Sequence, residues 1–235
     1  MAYNNGPKIV TDGLVLCLDA ADRNSYPGTG STWYDLSGNG YHGTINGATL
    51  SDNAFNFDGT NDYIELTTTS SLNFGADNFT MFVWALNNPP SSTHYSVLLT
   101  KKTGFAVSGG FILYSPPQGD IYPARFYIDN QPQTTSPFYG TSDTNDVWKH
   151  FCITRNGSSF YIYVNSSLER TATLTGADMD NTTHTIKIGV RHNTSTDALE
   201  QYYTGTISSV LIYDKYFSAD EISQNYNATK GRFGL

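Results

Sequence analysis

The sequence predicts an all-β protein, built as a two-sheet antiparallel sandwich with one short C-terminal helix. The first reason is composition, because the 235 residues include 17 Tyr, 13 Phe and 21 Gly, which favour strands and turns. The second is that only 14% of the residues are charged, so helix formers such as Glu and Lys are scarce. The third is an apolar repeat of two residues along many short segments separated by turn signals, which is typical of a sandwich.

The clearest of these segments is a hairpin over residues 147–165. An Asn-Gly pair at 156–157 separates two apolar runs, and such a pair adopts the positive φ angles of a tight primed turn at little cost. In the second run Phe160, Ile162 and Val164 share one face, which predicts that they enter the core. The first run is apolar on both faces, so we expect it to be a central strand.

The other strands are predicted from short apolar or alternating runs bounded by Gly, Pro, Asn and Asp. They are residues 13–19, 54–57, 63–66, 79–86, 94–101, 110–115, 124–129, 168–174, 185–192 and 204–213. Residues 20–47 are dense in turn formers, so we expect a long irregular loop. We expect Trp33, Tyr34, Leu36 and Tyr41 to pin this loop onto the core.

The C-terminal helix is predicted from a capping box. Ser218 can accept a hydrogen bond from the backbone N–H of Glu221, and the Glu221 side chain can reach back to the backbone of Ser218. Phe217 and Ile222 flank this cap at the positions of a hydrophobic staple. Together these four residues indicate that a helix begins directly after Ser218.

Length and charge limit the domain organisation and the partners. We expect residues 1–12 to form an extended N-terminal arm and residues 13–235 to form one domain, since sandwiches commonly reach this length. The net charge of −8 argues against nucleic acid as a partner, because phosphates would be repelled. The N-terminus MAYNNGPK lacks an apolar stretch and no window approaches 18 apolar residues, so neither a signal peptide nor membrane insertion is expected.

The two cysteines, Cys17 and Cys152, both lie in predicted strands. They can be small buried hydrophobic residues, or they can form a disulfide if the fold brings them together. The sequence leaves both alternatives open.

Six segments resemble, in order, the laminin-G-like (concanavalin-A-like) jelly-roll domains of the lectin/glucanase superfamily. They are GLVLCLDA, WYDLSGNGYHGTING, FDGTNDYIEL, FTMFVWAL, WKHFCITRNGSSFYIYVN and GTISSVLIYDKYFSADEI. The resemblance covers nearly the whole chain and implies that the sandwich is a jelly roll. The tail QNYNATKGRFGL is also similar to the ending of such domains in structural proteins of marine tailed phages.

The resemblance implies a structural Ca²⁺ ion as a possible cofactor. Calcium prefers six to eight oxygen ligands from carboxylates, amides, carbonyls and water. The candidate ligands are Asp19, Asp35, Asn39, Asp62 and Asp214, because they stand at strand ends and in turns that the fold can bring together. The alternative is that each of these side chains caps its own turn.

The resemblance also implies glycan recognition, which uses an aromatic ring for one face of the sugar and polar groups for its hydroxyls. Tyr161 and Tyr163 are expected on the outward face of the hairpin with Asn165 beside them, and Tyr127 joins them if its strand is adjacent. The alternative is that these tyrosines pack beneath a loop or simply suit a strand.

Hydrolases share this fold, but the sequence does not predict catalysis. Glycoside hydrolysis needs two carboxylates about 5–10 Å apart. The four glutamates (Glu65, Glu169, Glu200 and Glu221) stand alone, and none begins the Glu-x-Asp-x-x-Glu motif of the fold's glucanases. The histidines form no HExxH motif, and neither GxSxG nor a P-loop occurs.

These observations predict a non-enzymatic structural protein of a virion surface, acting as a capsid decoration, fibre or attachment component. Its expected partners are cell-surface glycans or neighbouring virion proteins, and it is expected to be made in the host cytoplasm. A homo-oligomer is compatible with this role. One alternative is a carbohydrate-binding module of a bacterial surface or polysaccharide-degrading system, and a second is a glycoside hydrolase.

Overall fold

A computed structural model describes residues 7–67, 72–88, 96–101, 109–115, 124–128, 138–139, 146–181, 184–193, 196 and 198–235. Its strands are β1 (Leu14–Asp19), β2 (Thr32–Trp33), β3 (Gly43–Asn46), β4 (Thr49–Ser51), β5 (Ala54–Asp58), β6 (Tyr63–Leu66), β7 (Phe79–Asn87), β8 (Ser96–Thr100), β9 (Phe111–Ser115), β10 (Arg125–Ile128), β11 (Phe138–Tyr139), β12 (Trp148–Asn156), β13 (Ser159–Val164), β14 (Ser167–Thr173), β15 (Lys187–Ile188), β16 (Arg191–His192), β17 (Leu199–Glu200) and β18 (Thr204–Tyr213). Helix α1 (Ala219–Thr229) and a C-terminal 3₁₀ helix (Lys230–Phe233) follow.

The strands form two large antiparallel sheets, which confirms the predicted all-β sandwich. Sheet A has the order β14-β13-β12-β7-β18-β5-β4, and β1 also pairs with β18. Sheet B has the order β11-β10-β9-β8-β15-β6-β3-β2. Strands β16 and β17 form a separate two-stranded ribbon. None of the helices in the described part of the chain is long and apolar enough to cross a membrane.

The core lies between the two sheets and is filled by aromatic rings from both. Trp33 of sheet B contacts Phe55 of sheet A edge-on, with 4.9 Å between ring centroids. Phe79 of sheet A approaches Phe126 of sheet B at 6.4 Å. All four side chains are fully buried, so the alternating strand pattern places one apolar face of each sheet in this core.

The predicted hairpin is confirmed with a shift in its turn. Strand β12 lies between β7 and β13, so it is central, and Phe160, Ile162 and Val164 are buried in the core. Asn156 pairs with Ser159, so the two-residue loop is Gly157-Ser158 rather than Asn156-Gly157. Gly157 alone of this loop has a positive φ, 59°, which is the arrangement of a type II′ turn with glycine first.

The predicted strand over residues 185–192 is interrupted. Gly189 has a φ of +85°, so the backbone leaves sheet B after β15 and continues in the β16–β17 ribbon. A Cβ atom at Gly189 would lie 2.7 Å from the Phe57 ring, so only glycine fits this bend.

The sequence did not predict the short strands β2, β3, β4, β11 and β17. Residues 94–95 and 129, at the ends of two predicted strands, lie outside the described residues.

The long turn-rich loop is pinned to the core less completely than the sequence predicts. Trp33 is fully buried and Tyr41 packs against the core. Tyr34 and Leu36 are 44% and 38% exposed, so these two side chains do not anchor it. The loop is held instead by the polar contacts of Asp35 described below.

The outer face of sheet A is covered by helix α1. The capping box at Ser218 and Glu221 is present as predicted, and it starts the helix directly after Ser218. Trp84 of β7 donates a hydrogen bond from Nε1 to Thr229 Oγ1 of the helix at 2.8 Å. The described part of the N-terminal arm also lies here, since the Val10 N–H donates to Asn225 Oδ1. The outward side chains of β7 and β12 therefore form a second apolar cluster under α1.

Both cysteines are buried in this second cluster and neither forms a disulfide. Cys17 pairs with Leu211, Leu211 with Phe82 and Phe82 with Cys152, so two strands separate the thiols. Three strand spacings amount to about 14 Å, which is beyond the reach of a disulfide. Burial, with the nearby Asp19 carboxylate as a smaller contribution, raises the pKa of Cys17 to about 12. The thiol therefore stays uncharged, and Cys17 packs as a small hydrophobic residue.

Candidate functional site

The predicted sugar-binding residues of the hairpin are largely engaged in packing. Tyr163 is 6% exposed and belongs to the apolar cluster under α1. Tyr161 is half-buried, with its ring 6.0 Å from that of Tyr216 in the segment leading to the helix. Asn165 Oδ1 accepts a hydrogen bond from the backbone N–H of His150 at 2.9 Å. Tyr161 and Tyr163 therefore pack against the C-terminal segment, which agrees with the alternative given for the tyrosines, whereas Asn165 ties the β13–β14 turn to β12.

Tyr127 does not join them, so the predicted four-residue sugar site is wrong as a single site. Tyr127 lies on β10 of sheet B, whereas Tyr161 lies on β13 of sheet A. Its ring contacts that of Tyr114 edge-on at 5.3 Å, on the outer face of sheet B. The condition that its strand be adjacent to the hairpin is not met, because the two strands belong to opposite layers.

Two of the predicted calcium ligands, Asp35 and Asn39, lie together in the long loop. Asp35 Oδ1 accepts from the backbone N–H groups of Cys17 and Ser37, and Oδ2 accepts from Ser37 Oγ and from the Tyr41 N–H. The Asn39 amide donates to the Ser37 hydroxyl and is exposed. Four donors from the protein thus occupy the Asp35 carboxylate, so this side chain does not fit a metal ion in addition.

The other three predicted ligands lie elsewhere. Asp19 forms an ion pair with Arg232, at 2.6 Å between Oδ2 and Nη1. Asp62 accepts from the Asp58 N–H in the β5–β6 turn, and the exposed Asp214 lies beside Gly13. The described ranges contain no group of three or more His, Cys, Asp or Glu side chains that could hold a metal ion. The five residues therefore do not form one calcium site, and calcium binding stays a prediction.

Replacing Asp35 provides a test of its structural role. Asp35→Ala is expected to lower the free energy of unfolding by about 2–4 kcal/mol, because the N–H groups of Cys17, Ser37 and Tyr41 lose their acceptor. Asn39→Ala, at an exposed position, is expected to change it by less than about 0.5 kcal/mol. Urea unfolding in calcium and in EDTA measures both variants. A loss of similar size in the wild type on adding EDTA would show instead that Asp35 acts through a bound ion.

Charged groups on the outer face of sheet B form a first ordered set. Lys187 of β15 donates from Nζ to Glu65 Oε1 of β6 at 2.6 Å and to Thr185 Oγ1 at 2.8 Å. The Thr185 hydroxyl donates to the same Glu65 oxygen at 2.5 Å. The Lys187 side chain is only 6% exposed, although the adjacent Ile188 points into the core. These groups are therefore held in a fixed arrangement at the surface of the sheet.

A second ordered set lies beside it on the ribbon. Arg191 and Glu200 pair through Nη2 and Oε1, and the Asn193 amide donates to Glu200 Oε2 at 2.7 Å. Burial raises the pKa of Tyr114, with the nearby Arg191 guanidinium opposing this shift and the Glu200 carboxylate adding to it, and the Tyr114 ring contacts that of Tyr127. We call this surface the sheet B polar face. It consists of Glu65, Thr185, Lys187, Arg191, Glu200 and Tyr127.

Most of the sheet B polar face was missed by sequence reasoning, although one signal was present. The run YIEL at residues 63–66 alternates, with Ile64 and Leu66 in the core and Glu65 outside. Lys187 alternates with Ile186 and Ile188 in the same way. The periodicity therefore indicates that both charges point outward. The pairing of β6 with β15, which joins them, has no local signal in the sequence.

The electrostatics of Glu65 differ from those of a glycosidase general acid. Burial acts to raise the pKa of Glu65, but the hydrogen bonds from Lys187 and Thr185 outweigh it and hold this pKa below its ordinary value. A general acid of a glycosidase needs a raised pKa, so that it is protonated near neutral pH. Glu65 is therefore an ionised acceptor, and Glu200 is already paired with Arg191.

The two-sheet antiparallel architecture is that of a lectin-like sandwich. The family model described as the concanavalin A-like lectin/glucanases superfamily matches residues 58–223. The chain belongs to this family. A comparison with curated proteins found no match.

Solved structures share the fold at low sequence identity. The binding domain of botulinum neurotoxin DC, in complex with rat synaptotagmin II, has a TM-score of 0.70 and 16% identity, over 93% of this chain and 52% of that one. Trypanosoma rangeli sialidase has a TM-score of 0.67 and 14% identity, over 94% of this chain and 33% of that one. The chain thus spans about half the length of the toxin domain and a third of the sialidase. The likeness shows the fold alone.

Proposed function

We propose that this chain is a non-enzymatic binding domain whose sheet B polar face contacts glycans or proteins. The observation that carries the proposal is the fixed set of donors and acceptors on the outer face of sheet B, with the half-exposed Tyr127 on the same face and two strands between it and Lys187. Lys187 and Arg191 are buried yet ion-paired at this surface, so their side-chain entropy is already lost before a ligand arrives. Saccharide hydroxyls are recognised by such preorganised polar groups, and the sugar face stacks on an aromatic ring.

The related folds are compatible with either kind of ligand. One neighbour is a toxin binding domain in complex with synaptotagmin, a protein, and the others include a sialidase bound to difluorosialic acid. The net charge of −8 favours partners other than nucleic acid. Glycoside hydrolysis is the less favoured function, because Glu65 and Glu200 are both engaged and the pKa of Glu65 is lowered.

We further propose that the domain acts on a virion surface as a decoration, fibre or attachment component. The support is the similarity of the tail QNYNATKGRFGL to phage structural proteins. Mass spectrometry of purified particles tests this role, and cryo-EM then locates the chain.

A gene neighbourhood coding for polysaccharide utilisation would favour the carbohydrate-binding module instead. Reducing-sugar release from algal or bacterial glycans would support the hydrolase.

Glycan recognition is tested directly with two matched tyrosine variants. Wild-type protein is expected to bind selected structures on a glycan array, and Tyr127→Ala is expected to weaken that binding about tenfold, as for the loss of one aromatic contact. Tyr161→Ala, a half-buried tyrosine of the opposite sheet, is expected to leave the affinity unchanged. A flat array would rule out glycan binding, and equal losses in both variants would show a general effect on folding.

A further inference from the structure

A buried lysine lies outside the surfaces described above, directly after β8. Lys101 is 0% exposed, although its side chain ends in an amine. Its Nζ donates a hydrogen bond to Asn73 Oδ1 at 2.5 Å, and Asn73 lies in the β6–β7 connection, 28 residues earlier in the chain. Fully buried lysines are rare because the charged ammonium loses its hydration. We call Lys101, Asn73 and the neighbouring Asp180 and Asn181 the lysine–amide cluster.

The two reactive groups of a condensation reaction meet in the lysine–amide cluster. A primary amine is a nucleophile when it is neutral, and the carbon of a carboxamide is an electrophile that it can attack. A C=O bond is about 1.2 Å long, so the 2.5 Å contact places Asn73 Cγ within about 3.7 Å of Lys101 Nζ. Reacting atoms held about 3–3.5 Å apart are in near-attack geometry. Only a small further approach therefore separates the two groups from reaction.

The surroundings favour the neutral amine and polarise the amide. Burial lowers the pKa of Lys101 to about 8, with the nearby Asp180 carboxylate opposing this shift. A substantial fraction of the amine is therefore unprotonated near neutral pH. The backbone N–H of Asn181 donates to Asn73 Oδ1 at 3.2 Å. This hydrogen bond stabilises the negative charge that develops on the oxygen when the carbon is attacked.

Glycine backbone closes over the cluster. Gly109 and Gly110 have positive φ angles of 87° and 97°. A Cβ atom at Gly109 would collide with the Asp180 carbonyl oxygen, and one at Gly110 would collide with the Lys101 carbonyl oxygen. The side-chain amide of Asn181 donates to the Gly109 carbonyl at 3.2 Å, which fixes this close approach. Because Lys101 is fully buried, the amine is kept from the water that would otherwise solvate and protonate it.

We propose that Lys101 and Asn73 form an intramolecular isopeptide bond. The neutral amine attacks Asn73 Cγ, so that a Cγ–Nζ bond forms, the Cγ–Nδ2 bond breaks and ammonia leaves. Asp180 is the proton carrier, because its carboxylate accepts one proton from Nζ and delivers it to Nδ2. One amide replaces another, so the reaction requires neither an oxidant nor a cofactor. The bond ties the end of β8 to the β6–β7 connection, and it does not depend on the sheet B polar face.

Intact-mass spectrometry of the full chain tests for the bond directly. We expect a mass about 17 Da below the value calculated from the sequence, which corresponds to the loss of one ammonia. Protease digestion should then yield one branched peptide that joins the segments of Asn73 and Lys101. Lys101→Met should restore the calculated mass, while Lys149→Met, at a lysine outside the cluster, should retain the loss. A succinimide at an Asn-Gly pair also loses ammonia, so a loss that persists in Lys101→Met would contradict the proposal.

Asp180→Asn tests the proton carrier at an exposed position, where the change is compatible with the fold. We expect the bond to form at least about tenfold more slowly, measured as the fraction of lower mass at successive times after cell-free synthesis. Asp178→Asn, at an exposed acid two residues away, should react like the wild type. The unlinked Asp180→Asn protein should melt about 10 °C below the linked wild type, because the bond closes a loop in the unfolded chain.

The wild-type mass decides the proposal even if a variant fails to fold. A mass equal to the calculated value, both in freshly purified protein and after incubation at about pH 8.5, where the amine is largely neutral, would overturn the isopeptide bond. An unchanged rate in Asp180→Asn would overturn the assignment of Asp180 as the proton carrier.

Discussion

Acidification from pH 7 to pH 4.5 is expected to lower the free energy of unfolding by about 2–3 kcal/mol through one side chain, His150. Its ring lies 5.0 Å from that of Phe82 and 4.8 Å from that of Trp84, with Tyr226 of α1 at 5.9 Å. Burial lowers the pKa of His150 from 6.5 to about 3. The folded protein therefore keeps this imidazole neutral, while the unfolded chain takes up a proton below pH 6.5.

The sign of this effect follows from the proton count. Between pH 6.5 and pH 3 the unfolded state binds one more proton than the folded state at this site, so stability falls as the pH falls. Urea unfolding at a series of pH values should give a slope approaching 1.4 kcal/mol per pH unit below pH 6. Glu65 and Glu221 have lowered pKa values in the folded protein, so the stability that they contribute is lost mainly at more acidic pH. Measurements above pH 4.5 therefore report chiefly on His150.

Two histidine variants identify the source of the slope. His150→Phe retains a ring between Phe82 and Trp84 and is expected to abolish most of the slope between pH 4.5 and 6.5. His42→Gln keeps an acceptor for the Asp35 N–H, which donates to His42 Nδ1, and should leave the slope in place. An unchanged slope in His150→Phe would contradict the assignment.

Truncation of Trp84 is expected to have the largest effect on stability. Trp84→Ala should lower the free energy of unfolding by about 3–5 kcal/mol, because it removes a buried ring that supports the C-terminal segment. The ring stacks on Tyr226 and Phe233 and bonds to Thr229. Helix α1 should lose its main anchor on sheet A. Faster amide hydrogen exchange across residues 219–229 than in the core strands would report this.

Milder variants separate packing from hydrogen bonding at the same place. Thr229→Val removes only the hydroxyl that accepts from Trp84 and is expected to cost about 1 kcal/mol. Trp84→Phe keeps an aromatic ring and should fall between Thr229→Val and Trp84→Ala. If Trp84→Ala costs no more than Thr229→Val, the helix is held by other contacts.

The two outer faces of the sandwich differ in what lies on them. On the outer face of sheet A, Tyr163 and Tyr213 are buried in the apolar cluster under α1, against which Ile9 and Val10 also pack, so these tyrosines contribute to stability. The outer face of sheet B carries the ion pairs of Lys187 and Arg191 instead.

Local features of the structure were accessible from the sequence. The hairpin of β12 and β13, the burial of Phe160 and the capping box at Ser218 all follow from periodicity and turn or cap chemistry within about ten residues. The six segments that resemble the laminin-G-like family in the same order then predicted which family the chain belongs to. Because one apolar face per strand must be buried, the same periodicity determined that the chain forms a sandwich.

Only the tertiary structure decided which side chains meet. Tyr127 and Tyr161 have similar local patterns, but they lie in opposite sheets. The coverage of Tyr163, and the contact between Trp148 and Phe233, depend on where α1 and the 3₁₀ helix return to sheet A. The physical reason is that a side-chain pattern specifies which face of a strand is buried. The partner on that face is selected by packing over the whole chain.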